Sequence, residues 1–225
     1  MSTATTITTA PGGFAAQLRK RTSDTWERAI GHRFVEELFA GRIDDAVLAH
    51  YLEQDYRFFD AALSLCASCV VNADRVEPKL RFSAQLGFFA SDEDGYFERA
   101  LSALGSSAER AAEVPLTATS AAMVEGMLDT AHANSYIRSL IVMAVAEWLY
   151  LDWGERELAD PSRPEHLGWI ELHRGADFRA WVQCIVDELD RVGANLDEAE
   201  RAKAAGLWDR FVRLELEFFD AAYSA

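Results

Sequence analysis

Residues 50–69, HYLEQDYRFFDAALSLCASC, set the first constraint on the fold. Tyr51, Leu52, Phe58, Phe59, Ala62, Leu63, Leu65, Cys66 and Cys69 fall at helical rather than alternating spacing, and no Pro or Gly interrupts them. The segment predicts a buried helix. Positions three and four apart share a helix face, so Asp55 lines up with Phe58, Phe59 and Ala62. A carboxylate on an aromatic stripe is a solvated edge residue or a polar anchor in a pocket. A buried Asp55 needs a partner, because an unpaired buried charge is costly. A cationic or amino-bearing ligand is one candidate.

The flanking sequence reads as more helices. Phe14 to Ile30 predicts a first helix, and Arg33 to Ala40 a short second one closed by Gly41. Asp44-Asp45 opens the helix that contains 50–69 and runs to about Val71. Further helices are expected at about 75–90, 93–104, 117–130, 135–159, 176–192 and 197–223, with shorter turns at 106–113 and 166–173. The stretch 135–159 is apolar on nearly all sides, which predicts a central helix, and Glu147 is an acid within that apolar run. The last helix places Glu215 among Phe211, Phe218 and Phe219. No period-2 strand, internal repeat or Ser/Gly linker stands out. The expected architecture is all-α: one helical bundle over 14–225 behind a flexible leader, 1–13, rich in Thr and Ala.

Composition narrows the function. A net charge of −15 across 225 residues disfavours nucleic acid and anionic membrane surfaces, both of which call for Lys/Arg patches. No apolar run is long enough for a transmembrane helix, and the leader has no signal-peptide character. Cys66, Cys69 and Cys184 make no disulfide framework and suit a reducing cytoplasm. Cys66 and Cys69 lie in mid-helix and read as core residues. Carboxylate and imidazole pairs occur at Glu125/His132 and His173/Asp177, but two partial pairs do not make a metal site. No phosphate loop or Ser-His-Asp order is present.

Three motifs carry a family resemblance. They are His32-Arg33-Phe34-Val35 with Leu38 and Gly41, leading to Tyr51-Leu52-x-Gln54-Asp55-x-x-Phe58-Phe59; Glu147-Trp148-Leu149-Tyr150-x-x-x-Gly154-Glu155; and Glu215-x-x-Phe218-Phe219-x-x-x-Tyr223. In order and spacing they resemble the thiaminase II (TenA-like) family. The resemblance implies a heme-oxygenase-like bundle, a homo-oligomer (tetramer or dimer), no metal and no cofactor. It implies hydrolysis of an aminopyrimidine derived from thiamin. By the same resemblance, Asp55 binds the pyrimidine amino group, Glu215 moves protons to the leaving group, and Tyr150 and Phe58 shape the site. Pocket tyrosines of the family fall at Met123 and His173. The nucleophilic Cys of one branch falls at Ala146, which cannot form a covalent adduct. The resemblance is therefore to the Cys-less branch, with Glu147 as a second acid. A binding protein that has lost catalysis and a metal-dependent oxidase on the same fold are the alternatives.

Overall fold

The computed structural model describes residues 7–224, and residues 92–94 by their backbone alone. Twelve α-helices are present among the described residues, and no strand is. They are α1 (Phe14–Arg21), α2 (Ser23–Ile30), α3 (Arg33–Phe39), α4 (Asp45–Asn72), α5 (Val76–Phe88), α6 (Asp94–Ala103), α7 (Ala108–Glu113), α8 (Ala118–His132), α9 (Tyr136–Gly154), α10 (Pro164–Leu172), α11 (Ala176–Gly193) and α12 (Glu198–Ala221). A π-helical turn, Phe89–Glu93, joins α5 to α6.

The helix starts follow local chemistry. The Asp44 side chain accepts from the Ala46 N–H at the head of α4. At α12, Asp197 and Glu200 form a reciprocal capping box. Pro78 and Pro164 sit in first turns, where no amide hydrogen bond is lost.

Helix α9 occupies the centre and packs on α4, α11 and α12. Its apolar circumference is buried from Ser139 to Val145 and again at Trp148–Leu151. Helix α4 runs beside it and also carries α5, α7 and α8. Two buried polar residues of α4 serve this packing. The Gln54 amide donates to the Pro115 carbonyl and accepts from the Thr117 N–H, which fixes the loop before α8. Glu53 accepts from Ser106 Oγ and Arg110 Nε, which fixes α7.

The His32–Gly41 motif has a structural role. His32 Nδ1 accepts the Phe34 N–H as the cap of α3. Its ring stacks 5.7 Å from Phe219, and Arg33 lies over Tyr223. The first and last motifs of the chain thus close on each other.

Two expectations change. The first helix breaks at Thr22, whose backbone leaves the helical region (φ −108°, ψ 17°) and whose hydroxyl receives the Trp208 indole N–H. The expected leader also divides. Residues 1–6 lie outside the described residues, whereas residues 8–15 are fixed to α11. The Thr8 and Ala10 amides donate to Gln183 and Asp190, and the Ala15 amide donates to Asp190 at 2.7 Å. The sequence reading saw only the composition of this strap, not its partners 175 residues away.

Gly154 ends α9 against the backbone carbonyl of His173, where a Cβ would collide with main-chain atoms. Main chain cannot rotate away as a flexible side chain can. Gly154→Ala is therefore expected to cost about 1–3 kcal/mol. In a chain of this size that lowers the thermal midpoint by roughly 3–10 °C, read by circular dichroism.

Candidate active site

Helices α4, α9 and α12 enclose a small cavity of about 80 Å3 with α5, α10 and the start of α11. The α4 wall is Asp55, Phe58, Phe59 and Ala62, the face marked by the spacing of the sequence. Helix α9 contributes Ala146, Glu147 and Tyr150, one turn of a single face. Glu215 enters from α12, and Trp169 and His173 close the side formed by α10 and its C-cap.

Aromatic rings hold these groups in place. The hydroxyls of Tyr51 and Tyr150 are 2.7 Å apart in the core, tying α4 to α9. Tyr51 also packs on Phe34, Phe218 and Trp169. Phe58 meets Phe218 edge-on at 5.3 Å. His173 is ringed by Tyr150, Trp153, Trp169 and Phe178. Its Nδ1 lies 2.8 Å from the Trp169 carbonyl, which can only accept, so Nδ1 carries the proton. Burial lowers His173 to about 4, so the ring is neutral at pH 7.

The electrostatics separate this site from the rest of the bundle. Buried Glu188 is paired: it accepts from Arg75, Arg191 and Tyr136, and its pKa is lowered. Glu53 has Arg110. Asp55, Glu147 and Glu215 have no cation among the described residues. Asp55 Oδ2 and Glu215 Oε2 are sealed from solvent without any hydrogen bond. Burial, with Glu215 nearby, pushes Asp55 well above the carboxylate range. Burial and neighbouring Glu147 raise Glu215 to about 8. Burial raises Glu147 to about 7, offset in part by the Trp181 indole. That indole N–H falls short of hydrogen-bond geometry, so it acts as a nearby dipole only. Arg156, a possible structural partner for Glu147, donates instead to the Ile30 carbonyl, and Arg138 lies exposed on the first turn of α9.

Asp55, Phe58, Glu147, Tyr150, His173 and Glu215 therefore converge on one cavity. Met123 does not. It is fully buried in the core, and Met127, one turn later on α8, lines the cavity instead. Glu125, His132 and Asp177 are exposed and do not meet His173 in the cavity. Among the described residues, no three His, Cys, Asp or Glu side chains group as a metal site. None of the three cysteines lines the cavity. Burial, with the Glu147 charge behind it, keeps the Cys66 thiol protonated. Gln85, Met127 and Trp169 are lining residues that the sequence reading missed. Gln85 carried a signal: Pro78, Phe82, Gln85 and Phe89 share one face, and Gln85 is the polar one among them.

The profile of the TENA/THI-4/PQQC family matches residues 19–225. The chain belongs to that family. Two curated relatives carry the name aminopyrimidine aminohydrolase. One, from Halalkalibacterium halodurans, is 25% identical over 214 residues, 94% of this chain and 96% of its own length. The other, from Bacillus subtilis, is 23% identical, covering 93% and 89%. Among solved structures, a TenA homologue from Pyrococcus furiosus superposes with a TM-score of 0.84 at 23% identity, over 93% of this chain and all of the other. A heme oxygenase from Synechocystis in complex with heme reaches 0.62 at 15% identity, over 94% and 93%. The family fold is heme-oxygenase-like, and this chain shares it.

The uncompensated acids set a pH dependence. Between about 4.5 and 8 the folded chain binds more protons at Glu215 than the unfolded chain does. Stability from this group is thus complete at low pH and lost as pH rises through 8. Glu215→Gln removes the penalty. Its thermal midpoint is expected to exceed that of the parent at pH 9 by several degrees and to match it near pH 5, by calorimetry across pH.

Proposed function

We propose that the protein is an aminopyrimidine aminohydrolase of thiamin salvage that works through carboxyl groups and without a metal. The observation that carries this reading is the cationless set of Asp55, Glu147 and Glu215 on one aromatic-walled cavity. The names of the two curated relatives support the substrate class. An aminopyrimidine presents amino hydrogens to Asp55, which has an oxygen without a partner. Phe58 and Tyr150 bound the space for the ring.

In the proposed reaction, ionised Glu147 takes a proton from water, and the water oxygen bonds to the methylene carbon of the substrate. The carbon–nitrogen bond breaks as protonated Glu215 gives its proton to the leaving nitrogen. The products are the hydroxymethyl pyrimidine and ammonia. Passage of the proton from Glu147 to Glu215 restores the start. The Glu147 charge beside Glu215 strengthens the hold of Glu215 on its proton, which supports these roles. Ala146 lines the cavity where a thiol would be needed for a covalent route, so water is the nucleophile.

The protein is further proposed to be cytoplasmic, which suits its three free cysteines, and homo-oligomeric. Val71, Val76 and Leu80 are exposed near the junction of α4 and α5 and offer an apolar contact for a second copy.

Ammonia release from the 5-aminomethyl pyrimidine, with EDTA present, tests the reaction. The rate should be bell-shaped in pH with its optimum between about 7 and 8, and the two limbs belong to the coupled pair. Asp55→Asn and Glu215→Gln are each expected to lose about 100-fold or more while helical content stays native. A fully active Glu215→Gln would refute its role. A thermal shift with the compound but no turnover would favour a binding protein.

A further inference from the structure

Beyond the cavity lies a second, larger space of about 350 Å3, bounded by α5, α10 and α11. Gln85, Phe88, Leu172 and Phe178 line both spaces and form the throat between them. Three of the four are apolar. Gln85 is the exception: it is 9% exposed, and its carboxamide has no hydrogen-bond partner among the described residues. Its amide atoms are not sealed in the core, so at the throat they are free to bond a ligand, whereas the carboxamide of buried Gln54 is committed to protein partners. A polar group arriving at the throat would supply the missing bond.

The inner cavity is small and Asp55 anchors the ring, so the exocyclic carbon that Glu147 and Glu215 act on points toward the throat, where Gln85 lines the same cavity. We propose that Gln85 is a specificity-determining residue that accepts a hydrogen bond from the N–H of the leaving nitrogen, and that the outer space receives any substituent on that nitrogen. The substrate class is then a pyrimidine with a primary or secondary amine as leaving group. A quaternary ring nitrogen, such as the leaving nitrogen of thiamin, has no N–H and cannot satisfy Gln85. A site built to bond an N–H discriminates strongly against an analogue that lacks it. The outer space suits a polar substituent. Among the described residues Arg81 donates to the Ala180 carbonyl and has no carboxylate partner, and Asp177 has no cation, whereas Arg174 is taken by Asp160 and Glu171. The inference rests on the aminohydrolase reading of the inner cavity.

The test compares kcat/KM of the full-length enzyme for the 5-aminomethyl pyrimidine and for thiamin, in the parent and in Gln85→Leu. The expected result is a fall of about 10- to 100-fold for the amine and a change within about 3-fold for thiamin. Where thiamin is not turned over, its inhibition constant replaces kcat/KM. Gln85→Met, which keeps the length of the side chain, provides the second variant if Gln85→Leu folds poorly. An equal fall for both compounds would mark Gln85 as merely structural and overturn the proposal, as would an unchanged rate with the amine. If the parent hydrolyses neither compound, the aminohydrolase reading fails and this inference falls with it. If the parent hydrolyses the amine and the variants keep the parent's ratio, this inference alone fails.

Discussion

Three carboxyl groups without a counter-charge sit at the middle of this bundle, and much of the architecture exists to tolerate them. A buried carboxylate left unpaired costs several kcal/mol, so it takes up a proton instead. Asp55, Glu147 and Glu215 all respond that way. The fold has arginines to spare and uses them elsewhere: Glu188 is surrounded by Arg75 and Arg191. Among the described residues the absence of a cation at the cavity is therefore local, and the three longest helices of the core hold the acids together without one. They do so with apolar contact and the Tyr51–Tyr150 hydrogen bond, which constrain position without supplying positive charge.

That arrangement bears on the chemistry open to Ala146. Where a thiolate is the nucleophile, a single acid can suffice to move protons. Here the methyl group of Ala146 faces the cavity, and Cys66 stays behind the wall as a protonated core thiol. In the proposed reaction, two acids with staggered proton affinities divide the work instead. Burial sets both affinities, and their spacing comes from the Glu147 charge acting on Glu215 and from the Trp181 indole beside Glu147.

Much of the fold was legible in the sequence because its signals are local. The face of Asp55, Phe58, Phe59 and Ala62 follows from helical spacing, and all four residues line the cavity. The all-round apolarity of 135–151 follows from α9 being enclosed by α4, α11 and α12. The misreadings are of another kind. Thr22 interrupts a continuous amphipathic pattern because Trp208, far along the chain, needs its hydroxyl. Residues 8–15 look like a loose leader until Gln183 and Asp190 are placed beside them. Met123 and Met127 lie one turn apart on the same helix, and only packing decides which reaches the cavity. Gln85 is a polar residue on an apolar stripe, a signal that was available but carried no partner to give it meaning.

The contact at Gly154 has a wider implication. Helix α9 carries Glu147 and Tyr150 on one turn and ends, two turns on, directly against the main chain that bears His173. With no side chain at the joint, the distance between the acid-bearing wall and the imidazole-bearing wall is set by van der Waals contact of backbone on backbone. Cavity width is in that sense a dimension fixed at its edge. Substitutions among the lining residues can change what the cavity recognises, but its gauge belongs to a residue outside it, specified by the atoms that residue lacks.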